Sequence, residues 1–276
     1  MSDRLFVFGL GYAAGFIAAA VKARGWQVDA TGAAGNIAFD DRGSVLLALD
    51  RATHILSSVP PVADGDPVLG AYGDALKGRP LSYLSSTGVY GDAGGAWVDE
   101  RAPIRGRRES RNQADADWLA IGARVFRLPG IYGPGRSVLD RVAAGKAHRI
   151  DLPRQVFSRV HVEDIASGVI AGFGARPGTY NLADDLPCGQ NALVELACDM
   201  LGLKLPPLQS LDDAGLSLEA RAFYAENRRV ANGKAKRLLG WMPRYPTYVE
   251  GLRALNATAI PASATTLPAT ARAVQR

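Results

Sequence analysis

The sequence predicts an α/β protein built on a doubly wound parallel sheet, with a smaller C-terminal lobe. Three observations support this prediction. Short apolar segments alternate with helical patterns as far as Leu128, the first strand ends in a glycine-rich turn, and the pattern becomes mixed after Pro129. Strands that alternate with helices pair in parallel through crossover helices. The 276 residues, of which 47% are hydrophobic, are enough for one α/β core and a smaller lobe.

The elements can be placed in order along the chain. An apolar run begins the sheet and stops at glycine, and Pro60-Pro61 ends the fourth strand because proline cannot donate to a ladder. Strands are predicted at residues 4–8, 28–31, 36–40, 53–59, 81–86 and 124–128, with helices at 14–23, 43–51, 66–77 and 107–122. Beyond Pro129, strands are predicted near 155–160 and 179–182, and helices near 137–145, 162–172, 189–202 and 231–239. Residues 257–276 are small and rich in Thr and Pro, which predicts a flexible tail, with a segment packed on the surface as the alternative.

Composition and charge argue against several classes of protein. No apolar run approaches the ~20 residues that span a bilayer, and the start of the chain shows no signal peptide, so we expect a cytoplasmic protein without a membrane partner. Cys188 and Cys198 are predicted to be buried thiols, and His54, His148 and His161 are too far apart in sequence to predict a metal site. The net charge of +5 is modest and no basic-aromatic module is present, so no nucleic-acid partner is expected.

A glycine-rich turn follows the first strand and opens the first helix. Residues 9–14 read G-L-G-Y-A-A, which matches the dinucleotide-binding pattern G-x-G-x-x-A in its required context. Gly9 permits the tight turn, Gly11 lets the backbone approach a pyrophosphate, and Ala14 lets the helix pack on the strand. The free N–H groups of the helix N-terminus, beginning at Tyr12, then face the phosphates. This turn predicts NAD or NADP as the cofactor.

The residues expected near the adenine ribose of the cofactor do not distinguish NAD from NADP. An acid after the second strand would favour NAD and an arginine would favour NADP, but residues 31–34 read T-G-A-A. Asp40, at the end of the predicted third strand, is a candidate partner for the adenine amine, with a simple cap as the alternative. Ser58 and Val59 follow the fourth strand, and strand ends of such sheets point at the ligand crevice.

Ordered motifs along nearly the whole chain resemble one enzyme superfamily, the NAD-dependent epimerase/dehydratases among the extended or atypical short-chain dehydrogenase/reductases. The motifs are G-L-G-Y-A-A-G, S-S-T-G-V-Y-G-D, R-L-P-G-I-Y-G-P-G, S-R-V-H-V-E-D-I-A, Y-N-L-A and L-L-G-W-M-P-R-Y-P-T-Y. The resemblance implies a Rossmann-type sheet over residues 1–130, to which elements near 155–185 return. It also implies that residues 131–256 mainly form a lobe that closes over the substrate.

The catalytic residues that the resemblance implies are only partly present. Ser86, with its neighbour Thr87, falls at the position that binds the reacting oxygen, but Arg107 and Arg111 stand where the family carries Tyr and Lys. Arg111 can still donate to a ribose hydroxyl, whereas a guanidinium is not a proton shuttle near neutral pH. Three options remain: Tyr90 or Tyr132 supplies the proton, the reaction needs no protein acid, or the protein only binds the cofactor.

The substrate is expected to be a polar, anionic small molecule such as a nucleotide sugar. Five arginines lie within residues 101–111, which is either a solvated helix face or a site that attracts an anion. Arg107, Tyr132 and Arg136 are the candidate substrate-binding residues, and the resemblance implies that Pro129 and Gly130 pass beside the nicotinamide.

The sequence therefore predicts an NAD(P)-dependent oxidoreductase or epimerase, which could form a homodimer. The alternative is a non-catalytic NAD(P)-binding redox sensor or regulatory protein.

Overall fold

A six-stranded parallel sheet forms the centre of the computed structural model, which describes residues 3–259. Its strands are β1 (Arg4–Phe8), β2 (Gln27–Ala30), β3 (His54–Ser57), β4 (Leu81–Ser86), β6 (Arg124–Leu128) and β10 (Gly178–Asn181). They are arranged in the order β10-β6-β4-β3-β1-β2. The reversal of strand order beside β1 makes the sheet doubly wound, so the predicted fold class is confirmed.

Helices cover both faces of this sheet. They are α1 (Tyr12–Lys22), α2 (Arg42–Arg51), α3 (Pro67–Leu76), α4 (Glu109–Ala120), α6 (Val162–Gly172) and α9 (Gly233–Leu239). Leu5 and Val7 of β1 pack toward α1 and α6, whereas Phe6 and Phe8 pack toward α2 and α3. Successive strand residues point to opposite faces, so a continuous apolar strand such as β1 is buried on both sides.

A small lobe is built from the remaining helices and three short parallel ladders. The helices are α5 (Val138–Ala143), α7 (Gln190–Leu201), α8 (Leu218–Tyr224) and α10 (Tyr248–Ala259). The ladders pair β5 (Trp97–Val98) with β12 (Arg229–Val230), β7 (Gly130–Tyr132) with β9 (Arg159–His161), and β8 (Arg149–Ile150) with β11 (Leu208–Gln209). Helices α5, α7 and α10 share an apolar cluster of their own.

The strand predicted at residues 36–40 is wrong. These residues turn back onto the end of β2, because the Asn36 side chain accepts a hydrogen bond from Ala30 N at 2.8 Å and Ile37 N donates to Ala30 O at 3.0 Å. Gly35 lies against the same turn, where a Cβ atom would come within 2.3 Å of Ala30 O. The segment therefore caps the sheet edge instead of extending it.

Helix α10 was not predicted from the sequence. Its last residues, 257–259, fall in the segment predicted as a flexible tail, and the remainder of that segment lies outside the described residues. Within residues 3–259, no helix combines the length and the apolar character that crossing a membrane requires.

Candidate functional site

A cavity of about 970 Å³ lies at the carboxyl ends of the central strands, between the sheet and the small lobe. Such crevices are where open α/β sheets bind ligands. The cavity brings together most of the residues that the sequence singled out: Gly11, Tyr12, Ala14, Ser58, Ser86, Thr87, Arg107, Arg111, Pro129, Gly130 and Arg136. Gly9, Asp40, Val59, Tyr90 and Tyr132 do not line it.

The two glycines of the turn have different roles. Gly9 has a φ of +78°, and a Cβ there would meet Val59 Cγ2 at 2.8 Å, so Gly9 is required by the backbone and its packing. Gly11 has an extended conformation with a φ of −89°, and a Cβ there would meet no protein atom within 4 Å. The space above Gly11 opens into the cavity, as a site for a phosphate group requires.

The N-terminus of α1 faces the same space. No side chain caps it, so its first N–H groups remain available to an anion. Tyr12 donates its hydroxyl to Pro134 O at 3.0 Å, and the Arg136 guanidinium lies 5.6 Å from the Tyr12 ring. A cation and free backbone N–H groups therefore converge beside Gly11.

Ser58 and Asp40, two further predicted cofactor residues, differ in their contacts. The Ser58 hydroxyl donates to Gly9 O, which ties the end of β3 to the turn. Asp40 is exposed, and its neighbour Asp41 caps α2 by accepting from Ser44 N at 3.1 Å. Within residues 3–259 the Asp40 side chain has no hydrogen bond, and its role at the adenine stays a prediction.

Ser86 occupies the end of β4 at the mouth of the cavity. Its hydroxyl accepts a hydrogen bond from Gly88 N at 3.0 Å, which leaves its own proton free to be donated. Thr87 follows it in a 3₁₀ turn over Thr87–Tyr90 and also lines the cavity. Both residues therefore line the space in which the reacting oxygen is predicted to bind.

Tyr90 belongs to a buried polar network behind this strand. Its hydroxyl donates to Asn181 Oδ1 at 2.7 Å and accepts from Arg127 Nη1 at 3.1 Å. Arg127 in turn makes a two-point ion pair with Asp115, which also accepts from Ser85 Oγ at 2.6 Å. Burial raises the pKa of Tyr90 despite the nearby Arg127 guanidinium. The phenol holds strands together and does not face the cavity.

Tyr132 lies in the apolar cluster of the small lobe. Its ring packs edge-on to His161, with ring centroids 5.2 Å apart, and its hydroxyl occupies the space left by the missing side chain of Gly251. Burial raises the pKa of this phenol far above its usual range. Both tyrosines that the sequence offered as proton donors therefore lie outside the cavity.

Arg107, at the position of the family's tyrosine, binds the small lobe. Its Nε donates to Glu226 Oε1 and its Nη2 to Ala222 O, both at 2.8 Å. Arg111, four residues later, lines the cavity and has no side-chain hydrogen bond or ion pair to any residue within 3–259. Arg107 thus anchors α8, whereas the guanidinium of Arg111 remains available to a ligand.

Several residues of the cavity were not identified from the sequence. They are Glu226, Tyr224 and the arginines Arg141, Arg159 and Arg228, whereas Arg108, which also lines the cavity, belongs to the arginine cluster singled out in residues 101–111. The described lining residues include seven arginines and a single carboxylate, that of Glu226, so positive charge is in excess. A low-dielectric cavity lined by one sign of charge concentrates ligands of the opposite sign. The segment N-R-R-V at residues 227–230, which contains Arg228 and directly precedes a predicted helix, was the sequence signal that could have indicated these residues.

The buried carboxyl group of Asp184 should make stability depend on pH. Asp184 lies just beyond the end of β10 with 2% of its surface exposed, and burial raises its pKa to about 7 against the attraction of Arg159. In the unfolded chain a carboxyl group titrates near ~3.9. Between these values the folded state holds a proton that the unfolded state has released, so the free energy of unfolding falls as pH rises.

We therefore expect Asp184→Asn to raise the free energy of unfolding at pH 8 by about 4 kcal/mol at most, from the 1.36 kcal/mol per pKa unit of linkage. The gain should shrink as pH falls from 7 and become small near pH 4, because wild-type Asp184 is then protonated in the folded state and about half protonated in the unfolded chain. Denaturant unfolding between pH 4 and pH 8 measures this difference. A difference between the two proteins that does not vary with pH would contradict it.

Two sequence relatives can be compared with the chain over most of its length. A conserved protein of unknown function from Silicibacter pomeroyi has a solved structure that is 38% identical, covers 94% of this chain and all of that chain, and superimposes with a TM-score of 0.83. Protein YeeZ of Escherichia coli K12 is 27% identical over 283 residues, which cover 88% of this chain and 96% of that protein. No protein-family model matches the chain.

More distant structures share the fold. A putative NAD-dependent epimerase/dehydratase from Methylobacillus flagellatus is 20% identical, with a TM-score of 0.72 over 94% of this chain and 99% of that chain. The human epimerase family protein SDR39U1, solved with NADPH, is 16% identical, with a TM-score of 0.71 over 92% and 99%. The resemblance to extended short-chain dehydrogenase/reductases, inferred from sequence motifs, is thus confirmed for the fold.

Proposed function

This chain belongs to the same family as the conserved Silicibacter pomeroyi protein, and we propose that it is an NAD(P)-dependent oxidoreductase or epimerase acting on an anionic small molecule. One observation carries the proposal: the uncapped N-terminus of α1, the open space above Gly11, the Ser86 hydroxyl and an excess of arginines all line a single cavity. A dinucleotide and an anionic substrate need these features side by side.

The residues present fit a dinucleotide cofactor. Backbone N–H groups at the start of α1 would hold its pyrophosphate above Gly11, with Arg136 close enough to add charge. Arg111 would donate to the ribose on the nicotinamide side, and Pro129 with Gly130 would lie beside the nicotinamide ring. When bound, the nicotinamide accepts or supplies a hydride.

The arginines define the class of substrate. A guanidinium group donates two parallel hydrogen bonds to a carboxylate or phosphate, and it is more weakly hydrated than an ammonium group. Arg108, on the sheet side, and Arg141, on the lobe side, line the cavity and would hold such groups, whereas Arg111 would serve the ribose of the cofactor. A nucleotide sugar, whose pyrophosphate carries the charge, fits a cavity of about 970 Å³.

The experiment is a paired assay of binding and turnover. Cofactor binding is followed by the change in NADH or NADPH fluorescence, and turnover by absorbance at 340 nm with carbonyl compounds that carry carboxylate or phosphate groups. Binding with turnover supports the enzyme. Binding without turnover across the whole panel of carbonyl compounds supports the alternative, a redox sensor. The absence of the Tyr and Lys pair is the observation that favours this alternative.

We expect the protein to accept both NAD(H) and NADP(H). Residues 31–34 carry no acid to repel a 2′-phosphate, and Asp29 is already occupied by a hydrogen bond from Asn36 Nδ2 at 2.8 Å. The two affinities should differ by less than about a hundredfold, which is about 2.7 kcal/mol. Calorimetric titrations with both cofactors measure this ratio, and a larger preference for NAD would reveal an acidic discriminator elsewhere.

A further inference from the structure

Arg228 reaches the reacting end of the cavity from the small lobe. The point that a Cβ atom on Gly88 would occupy lies 3.2 Å from Ser86 Oγ and 4.0 Å from Arg228 Nη2. A guanidinium group and the hydroxyl at the family's oxygen-binding position therefore approach the same small volume. Both residues line the cavity, and the Arg228 side chain is only 16% exposed.

The Arg228 guanidinium is held in one orientation. Its Nη1 donates to Gly91 O at 2.8 Å and to Glu226 Oε2 at 2.6 Å. Within residues 3–259, its Nη2 has no hydrogen-bond partner. Two contacts on one nitrogen fix the plane of the group, so the unused N–H groups of the other nitrogen are directed without further loss of entropy.

The backbone on both sides of Arg228 is fixed as well. Asn227 N donates to Asp92 Oδ1 at 2.8 Å, and Arg229 N donates to Ala96 O at 2.9 Å. Glu226 itself is held between Arg107 and Arg228, and although burial opposes it, hydrogen bonds from these two arginines keep its pKa below the usual range. The arginine at the family's tyrosine position thus helps to hold the carboxylate that orients Arg228.

We infer that Arg228 and Ser86 together bind the reacting oxygen of the substrate and stabilise the negative charge that develops on it. The inference rests on the proposed function and adds a catalytic residue to it. In the reductive direction, reduced NAD(P)H donates a hydride to the carbonyl carbon and becomes NAD(P)⁺. The π electrons of the C=O bond move to oxygen, which accepts hydrogen bonds from Arg228 Nη2 and Ser86 Oγ and takes its proton from water.

This assignment explains how the site can work without a tyrosine acid. Preorganised donors aimed at a developing oxyanion are worth about 10²–10³ in turnover each, comparable with the gain from a general acid. Among the described residues, the phenols that line the cavity are Tyr12 and Tyr224. The Tyr12 hydroxyl is already used on Pro134 O, and burial raises the pKa of Tyr224 against the attraction of Arg141 and Arg159.

The test compares Arg228→Met with Arg229→Met. The Arg229 guanidinium donates to Gly95 O, and Arg229 does not line the cavity, so the same change one residue along serves as a control. Cofactor affinity should be unchanged in both variants. Turnover should fall about 10²–10³-fold in Arg228→Met, with little change in KM, and should be retained in Arg229→Met. Thermal denaturation verifies that both variants fold.

A pH profile separates a guanidinium from a phenol. Wild-type turnover should not fall between about pH 6 and pH 9.5, because a guanidinium keeps its proton over this range. Arg228→Lys should retain part of the activity and lose it on the alkaline side as the ammonium group deprotonates. Turnover that survives in Arg228→Met, or that is abolished by Tyr224→Phe with an alkaline limb in the wild type, would overturn the inference.

The outcomes also separate this inference from the proposed function. A wild type that binds neither NADH nor NADPH contradicts both. A wild type that binds cofactor without turning over any carbonyl compound is titrated with acetate in the presence of NAD⁺, because a carboxylate oxygen occupies an oxyanion site. Arg228→Met and Ser86→Ala should each weaken acetate binding at least ~10-fold relative to Arg229→Met. Equal affinity in these variants overturns the role of Arg228 and leaves cofactor binding intact.

Discussion

Gly11→Val is expected to abolish cofactor binding while leaving the fold intact. Gly11 has an ordinary extended backbone, and an added Cβ atom would meet no protein atom within 4 Å. The isopropyl group would instead fill the space that a pyrophosphate needs at the N-terminus of α1. We expect the dissociation constant for NADPH to rise at least a hundredfold, about 2.7 kcal/mol, with no loss of thermal stability. Fluorescence titration and a thermal melt measure the two effects.

Two further glycines serve as comparisons. Gly70 lies on the exposed face of α3, where a Cβ also meets no atom, and Gly70→Val should bind the cofactor like the wild type. Gly9→Ala should behave in the opposite way, because its positive φ and the 2.8 Å approach to Val59 Cγ2 make any side chain destabilising. Equal affinity for NADPH in Gly11→Val and wild type would remove the phosphate site from this turn.

Asp115→Ala is expected to be the most destabilising substitution behind the cavity. Asp115 is 1% exposed, pairs at two points with the buried Arg127 and accepts from Ser85 Oγ. Removing it leaves a buried guanidinium without its counter-charge, which typically costs about 3–5 kcal/mol. Urea denaturation should therefore show a clearly lower midpoint, and the strand end that carries Ser86 should lose its support.

Two further variants provide a scale for the loss of stability in Asp115→Ala. Tyr90→Phe removes one hydroxyl from the same network and should cost only about 1–2 kcal/mol. Asp74→Ala removes an exposed ion pair with Lys77 and should leave the midpoint unchanged. If Asp115→Ala were no more destabilising than Asp74→Ala, the network would not support the site, and the position of Tyr90 would need another explanation.

Most of the fold could be predicted from the sequence because its signals are local. The strands of the central sheet are short apolar runs, some of which are directly followed by Gly or Pro, as β1 is by Gly9 and β6 by Pro129, and the observed bounds lie close to the predicted ones. Residues 36–40 were mistaken for a strand because Ile37, Ala38 and Phe39 form a short apolar run. They turn back because the Asn36 side chain accepts a hydrogen bond from the backbone at the end of β2. The hydrophobic periodicity of the sequence does not reveal such a contact.

The site was predictable where sequence neighbours are also neighbours in space. The glycine turn and the Ser86-Thr87 pair are contiguous motifs, and the structure places their hydroxyls and Gly11 in one cavity. Arg228 approaches Ser86 only because β12 pairs with β5 and Glu226 bridges two arginines. Tyr90 and Tyr132 have the right chemistry in the right segments, but packing directs the Tyr90 phenol into a buried polar network and the Tyr132 phenol into an apolar cluster.

The central claim is that this cavity binds a nicotinamide dinucleotide beside an arginine-lined substrate site. Its most direct test is calorimetric titration of the wild-type protein with NADH, NAD⁺, NADPH and NADP⁺. The account predicts one site per chain for at least one reduced cofactor, with a dissociation constant in the micromolar range, about −8 kcal/mol. The absence of binding for all four dinucleotides at millimolar concentration, with a protein that melts cooperatively, would contradict it.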